Sequence, residues 1–111
     1  MVKQYNRTAE GYINLNRVNV QDNLNKTFTI PVSLKFVPKK IFIKAGFNSY
    51  SDRAFFLING INQTCKLFDN RTKEWAKIVI TKVSSNGIEY KFTESANNGV
   101  YIYLADFFAV G

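Results

Sequence analysis

The sequence predicts an all-β domain, an antiparallel, jelly-roll-like β-sandwich of about eight strands, the count that its turn spacing implies. Three observations carry that expectation. Short apolar runs bounded by Gly, Pro, Asn and Asp recur along the chain, at the roughly 8–12 residue intervals typical of sandwiches. Asn-Gly, the pair that best suits a tight hairpin turn, stands between apolar runs at Asn59-Gly60, Asn86-Gly87 and Asn98-Gly99. The C-terminal stretch Gly99–Gly111 reads as one long strand, apolar or aromatic on both faces and interrupted by a single charge, Asp106.

Taken in order, residues 1–10 are polar and aperiodic and are expected to be a loosely ordered leading segment of a single domain spanning 1–111. Gly11–Val18 alternates around Ile13 and Leu15 and reads as an irregular strand, followed by a loop at Gln21–Asn25. Thr27–Val32 places Phe28, Ile30 and Val32 on one face, and Pro31 puts it at a sheet edge or a bulge. Pro38 fixes the connection into the strand Ile41–Ala45. Gly46–Asp52 is a loop rich in aromatics, and Ala54–Ile58 is apolar on both faces, which predicts a central strand. Asp69–Glu74 is a polar loop. The last two Asn-Gly pairs predict a three-stranded meander of Trp75–Ser84, Ile88–Glu94 and the C-terminal strand. In that last strand strict alternation sets Val100, Ile102, Leu104, Phe108 and Val110 against Tyr101, Tyr103, Ala105, Phe107 and Ala109.

The net charge of +7 and pI near 9.6 would suit an anionic partner, but the Lys residues fall singly along predicted strands, as on solvent faces and guarded edges. An OB-like nucleic-acid surface would need them clustered beside the aromatics, so nucleic acid is not an expected partner. The chain has no His, which removes the commonest general base and metal ligand and every Ser-His or Cys-His arrangement. One cysteine, Cys65, excludes an internal disulfide. No uninterrupted apolar run approaches a membrane span, and Met1–Asn6 does not read as a secretory signal.

The candidate ligand site is aromatic. Tyr50 and Trp75, with Asp52, Arg53, Glu74 and Lys77 around them, offer stacking rings and hydrogen-bonding groups for a sugar, although an opening-strand Trp also packs readily under a loop. Asp22, Asp52, Asp69, Glu74, Glu89, Glu94 and Asp106 are the carboxylates from which a glycosidase would need two, and no spacing brings any pair together. Asp22-Asn23-Leu24-Asn25 lacks the ligands and the Gly of a Ca²⁺ loop, so neither metal nor cofactor is expected. Asn-x-Thr triplets at Asn6, Asn25, Asn62 and Asn70 are what an Asn-rich chain produces by chance.

Two stretches carry a family resemblance. Ile30–Ile43 contains Phe36-Val37-Pro38-Lys39 leading into an alternating β-branched strand, and Tyr101-Ile102-Tyr103-Leu104-Ala105 is an aromatic closing strand. Together they resemble the small β-rich modules at the C-terminal ends of tailed-phage tail fibres, tail-tip and other virion proteins. Leu34-Lys35 stands where a glycine often precedes the phenylalanine, and the chain continues past Ala105 to Gly111. The resemblance implies a non-enzymatic virion component, assembled in the host cytoplasm, often as a homotrimer, that contacts other virion proteins or the host surface, including its polysaccharide. Tyr101, Tyr103 and Phe107 are then the expected oligomer interface. The rival expectation is a stand-alone monomeric carbohydrate-binding module.

Overall fold

The computed structural model describes residues 8–13, 17–47 and 53–111, and of Arg53 only the backbone. The described residues form β1 (Thr8–Tyr12), β2 (Val18–Asn19), β3 (Phe28–Pro31), β4 (Lys40–Phe47), β5 (Arg53–Ile58), β6 (Thr64–Asp69), β7 (Glu74–Ser84), β8 (Gly87–Ser95) and β9 (Tyr101–Val110). A 3-10 turn, Gln21–Asn23, is the only helical element among them.

Two antiparallel sheets pack as a sandwich, one of five strands in the order β1-β9-β4-β5 with β2 also on β9, the other of four in the order β3-β8-β7-β6. β9 is central in its sheet. One edge of it pairs with β2 at Tyr101 and Ile102 and with β1 from Asp106 to Val110, and the other edge pairs with β4. The first strand thus pairs with the last and the third with the eighth, the nested pairing of a jelly roll, while β4–β5, β6–β7 and β7–β8 pair as sequential neighbours.

Several expectations change. Residues 8–10 are not loose, because Thr8, Ala9 and Glu10 pair with Val110, Ala109 and Phe108. β5 is an edge strand, not a central one; its second apolar face comes from Phe55 and Leu57, which lie outward and exposed. β3 does lie at an edge, a position where proline is tolerated.

Of the three Asn-Gly pairs only the second makes a hairpin. Ser84 pairs with Gly87, so the turn residues are Ser85 and Asn86, and the Asn86 N–H donates to Ser84 Oγ at 3.3 Å. Gly87 serves a close approach: a Cβ there would lie 2.7 Å from Thr29 Cγ2 and 3.1 Å from the Ile30 carbonyl oxygen of β3. The other two pairs carry the chain between sheets, from β5 to β6 and from β8 to β9. The expected meander is therefore a β7–β8 hairpin followed by a crossing, in which Asn97 Oδ1 accepts the Gly99 N–H at 2.8 Å.

The core is one cluster filled from both sheets, with Ile41, Ile43, Ile58, Ile102 and Leu104 meeting Ile30, Leu67, Ile78, Ile80, Ile88 and Phe92. Tyr90 lies among them with no exposed surface, its ring stacked 5.5 Å from Phe28 and edge-on 5.9 Å from Phe92. β9 does not alternate throughout. Lys44 pairs with Asp106 and Ala45 with Leu104, leaving Ala105 as the extra residue of a β-bulge. The bulge flips the phase. Ile102 and Leu104 point inward before it, and Phe107 and Ala109 after it.

Candidate functional site

The outer face of the five-stranded sheet follows from that register. β1 sends Glu10 and Tyr12 outward, β9 sends Asp106, Phe108 and Val110 once the bulge has shifted its phase, β4 sends Lys40, Phe42 and Lys44, and β5 sends Phe55 and Leu57. Cross-strand pairing arranges them in rows. Glu10, Phe108, Phe42 and Leu57 form one, and Tyr12, Asp106, Lys44 and Phe55 the next. Phe42 and Phe108 approach with ring centroids 6.4 Å apart, and Lys44 Nζ lies 5.2 Å from the centre of the Phe55 ring, a cation–π distance. Tyr12 is 83% exposed, Phe55 57% and Leu57 38%. Glu10, Tyr12, Phe55, Asp106 and Phe108 line a shallow groove of about 440 Å³ across this face.

Further along the same face Tyr103 is only 7% exposed. It pairs with Gly46, and a Cβ on Gly46 would meet its ring at 2.5 Å. The ring therefore lies flat over the glycine and covers backbone that a side chain would otherwise cover.

The outer face of the four-stranded sheet differs in kind. Lys77 and Glu94 pair at 3.3 Å and Lys82 and Glu89 at 3.7 Å, which is the ordinary solvated pattern of cross-strand opposite charges. No family model, curated protein or solved structure matches the chain. The contrast between the two faces is therefore the strongest functional pointer in the molecule.

The residues singled out from the sequence fare unequally. Tyr50 and Asp52 lie outside the described residues, and Arg53 opens β5 opposite Gly46. Trp75 is not on a loop. It sits half-buried on β7, with Lys66 Nζ and Lys77 Nζ 4.7 and 5.7 Å from its ring. It is on the other sheet from Arg53. Of the expected interface residues, Tyr101 is exposed on the outer face and Tyr103 covers Gly46. Phe107 is removed from that interface by the bulge, which buries it in the core at 4% exposure.

Among the described residues no three carboxylate or thiol groups converge as metal ligands. Asp106 pairs across the strand with Lys44 and emerges beside the groove. Cys65 is half-buried, its thiol donates to the Leu57 carbonyl at 3.4 Å, and burial pushes its pKa up. Sequence reasoning missed Tyr12, Glu10 and Phe55 as surface residues. The usable signal was that β5 and most of β9 are apolar on both faces and one side of each had to lie outward.

Proposed function

We propose that the chain is a non-enzymatic structural or host-adhesion module of a virion, of the tail-fibre or receptor-binding type, working as a homo-oligomer. One observation carries the reading: the outer face of the five-stranded sheet gathers exposed Tyr12, Phe55 and Leu57 with the Phe42–Phe108 pair, whereas on the other sheet Phe68 and Trp75 sit among lysines and salt bridges. A contiguous apolar patch on one side of a small domain is characteristic of a surface covered by another molecule. The virion setting rests on the resemblance of Ile30–Ile43 and Tyr101–Ala105 to phage tail modules. In that setting the partners are further copies, other virion proteins and host-surface polysaccharide, and no cofactor takes part.

The test is solution mass by light scattering coupled to size exclusion at two salt concentrations. An oligomer that survives high salt supports an assembly module, because burial of apolar surface is not screened as exposed charge pairs are. A monomer at every concentration refutes it.

A second reading has one observation in its favour. The groove is lined by the rings of Tyr12 and Phe55 together with the carboxylates of Glu10 and Asp106, a combination that can stack on a pyranose and hydrogen-bond its hydroxyls. A monomer retained on a polysaccharide column, with retention lost in Tyr12→Ala, would make the chain a stand-alone carbohydrate-binding module. An OB-like nucleic-acid function gains no support from this face, where two acids accompany the lysines.

A further inference from the structure

We infer that the outer face of the five-stranded sheet is closed by the same face of a second copy, in a two-fold symmetric dimer whose axis runs along the strands between β9 and β4. This rests on the homo-oligomeric reading above and adds the surface, the symmetry and the contacts.

The charge pattern argues for a second copy as the occupant. The chain carries +7, yet the described side chains at the centre of this face are two acids, Glu10 and Asp106, beside two lysines, Lys40 and Lys44. A copy of the same cationic protein is repelled least where the surface is neutral, whereas an anionic polymer would favour the lysines elsewhere.

The order within the rows argues for the symmetry. Across the sheet one row reads aromatic, acid, base, aromatic: Tyr12, Asp106, Lys44, Phe55. Rotation by half a turn about an axis between β9 and β4 lays this row on itself reversed. Asp106 then faces the partner's Lys44, and Tyr12 faces the partner's Phe55. In the neighbouring row Phe108 lies over the partner's Phe42, while Glu10, on the edge strand β1, lies over the partner's Leu57 at the rim of the contact. A face that complements itself under a two-fold rotation is what an isologous contact requires. Such stacking is ordinary sheet-on-sheet packing, with the layers about 10 Å apart.

The area suits a weak dimer. Strands of 5, 10, 8 and 6 residues, at about 3.4 Å rise and about 4.8 Å spacing, give roughly 470 Å² of face per copy. Both copies together would bury about 950 Å², the size of a weak or transient interface.

Asp106 and Lys44 are also neighbours within one chain, so the experiment must separate contacts between copies from contacts inside one. Asp106→Lys makes the face doubly basic there and Lys44→Asp makes it doubly acidic. Each variant should repel itself and elute as a monomer, with the dimer Kd raised at least about tenfold. Mixed one to one, the two variants restore both opposite-charge contacts and should form a heterodimer of twice the 12.7 kDa chain mass, detected by native mass spectrometry. Circular dichroism confirms that each variant is folded, and Tyr12→Lys, at a ring 83% exposed, provides a second disruption without loss of core packing.

Monomeric variants that pair only when mixed support the inference. Variants that remain self-associated, or a mixture that gains nothing over either alone, overturn it while leaving a wild-type oligomer, and thus the broader reading, in place. A wild-type trimer overturns the two-fold contact alone. A wild-type monomer at every concentration overturns both.

Discussion

Replacing Tyr90 by Phe should stabilise the fold. The Tyr90 side chain has no exposed surface and its hydroxyl has no hydrogen-bond partner among the described residues. Leaving such a group unsatisfied costs about 1–3 kcal/mol, while removing one oxygen from a packed site forfeits roughly 0.3 kcal/mol of contact at about 24 cal/mol per Å³. The net gain is on the order of 1 kcal/mol, which for a domain of this size raises Tm by about 4 °C.

The same burial produces an alkaline signature. The phenol ionises at its ordinary 10.0 in the unfolded chain, and burial pushes its folded value well above that. Above pH 10 the unfolded chain releases a proton that the folded chain keeps. The stability conferred by the buried neutral phenol is therefore complete below pH 10 and falls above it, by up to about 1.4 kcal/mol per pH unit. Tyr90→Phe should remove that share of the slope. Urea titrations of both proteins at pH 7, 10 and 11 measure the two effects. A Tyr90→Phe protein that is less stable by 1 kcal/mol or more at pH 7 would mean that the hydroxyl is satisfied, by a buried water for instance, and would refute the reasoning.

Gly87→Ala should destabilise by about 1–3 kcal/mol, the usual range for overpacking, because the new methyl meets Thr29 and the Ile30 backbone; the urea midpoint reads it. Phe107→Ala should cost about 3–5 kcal/mol as a large-to-small core substitution, since its ring is in the core cluster, and a shift below 1 kcal/mol in thermal melting would return Phe107 to the surface. Glu94→Gln removes a pair between exposed groups and should change stability by less than about 1 kcal/mol in the same melts. Cys65 should react with iodoacetamide at pH 7.5 more slowly than free cysteine, because burial raises its pKa and its thiol is engaged by Leu57; equal rates by mass spectrometry would contradict this.

The strands were legible in the sequence because alternation and turn residues are local. Phe28, Ile30 and Pro31 identified the strand β3, and the alternation of residues 101–110 identified one long strand, whereas two apolar faces did not make Ala54–Ile58 a central strand. Sheet membership was not legible, because a short turn such as that at Asn98-Gly99 can close a hairpin or cross the sandwich. Nor was phase after the bulge. Ala105 carries no composition signal for an unpaired position, so strict alternation put Phe107 outside and Phe108 inside. The aromatic face was missed for the same reason: Tyr12, Asp106, Lys44 and Phe55 are scattered through the chain and meet only through register.

The bulge at Ala105 also divides β9 into two stretches with opposite rules for accepting change. Up to Leu104 the even-numbered positions are closed to polar residues and the odd-numbered ones face outward; from Asp106 the parity inverts. A scan of every substitution along this strand would therefore show a tolerance pattern that reverses at one residue. Deleting Ala105 would make Ala45–Leu104 and Lys44–Asp106 consecutive pairs, so alternation would run unbroken with Asp106 and Phe108 still outward and Phe107 and Ala109 still inward. Ala105 has no opposite residue on β4, yet its carbonyl accepts the Ile13 N–H at 2.7 Å, so the bulge is anchored from the β1 side of β9.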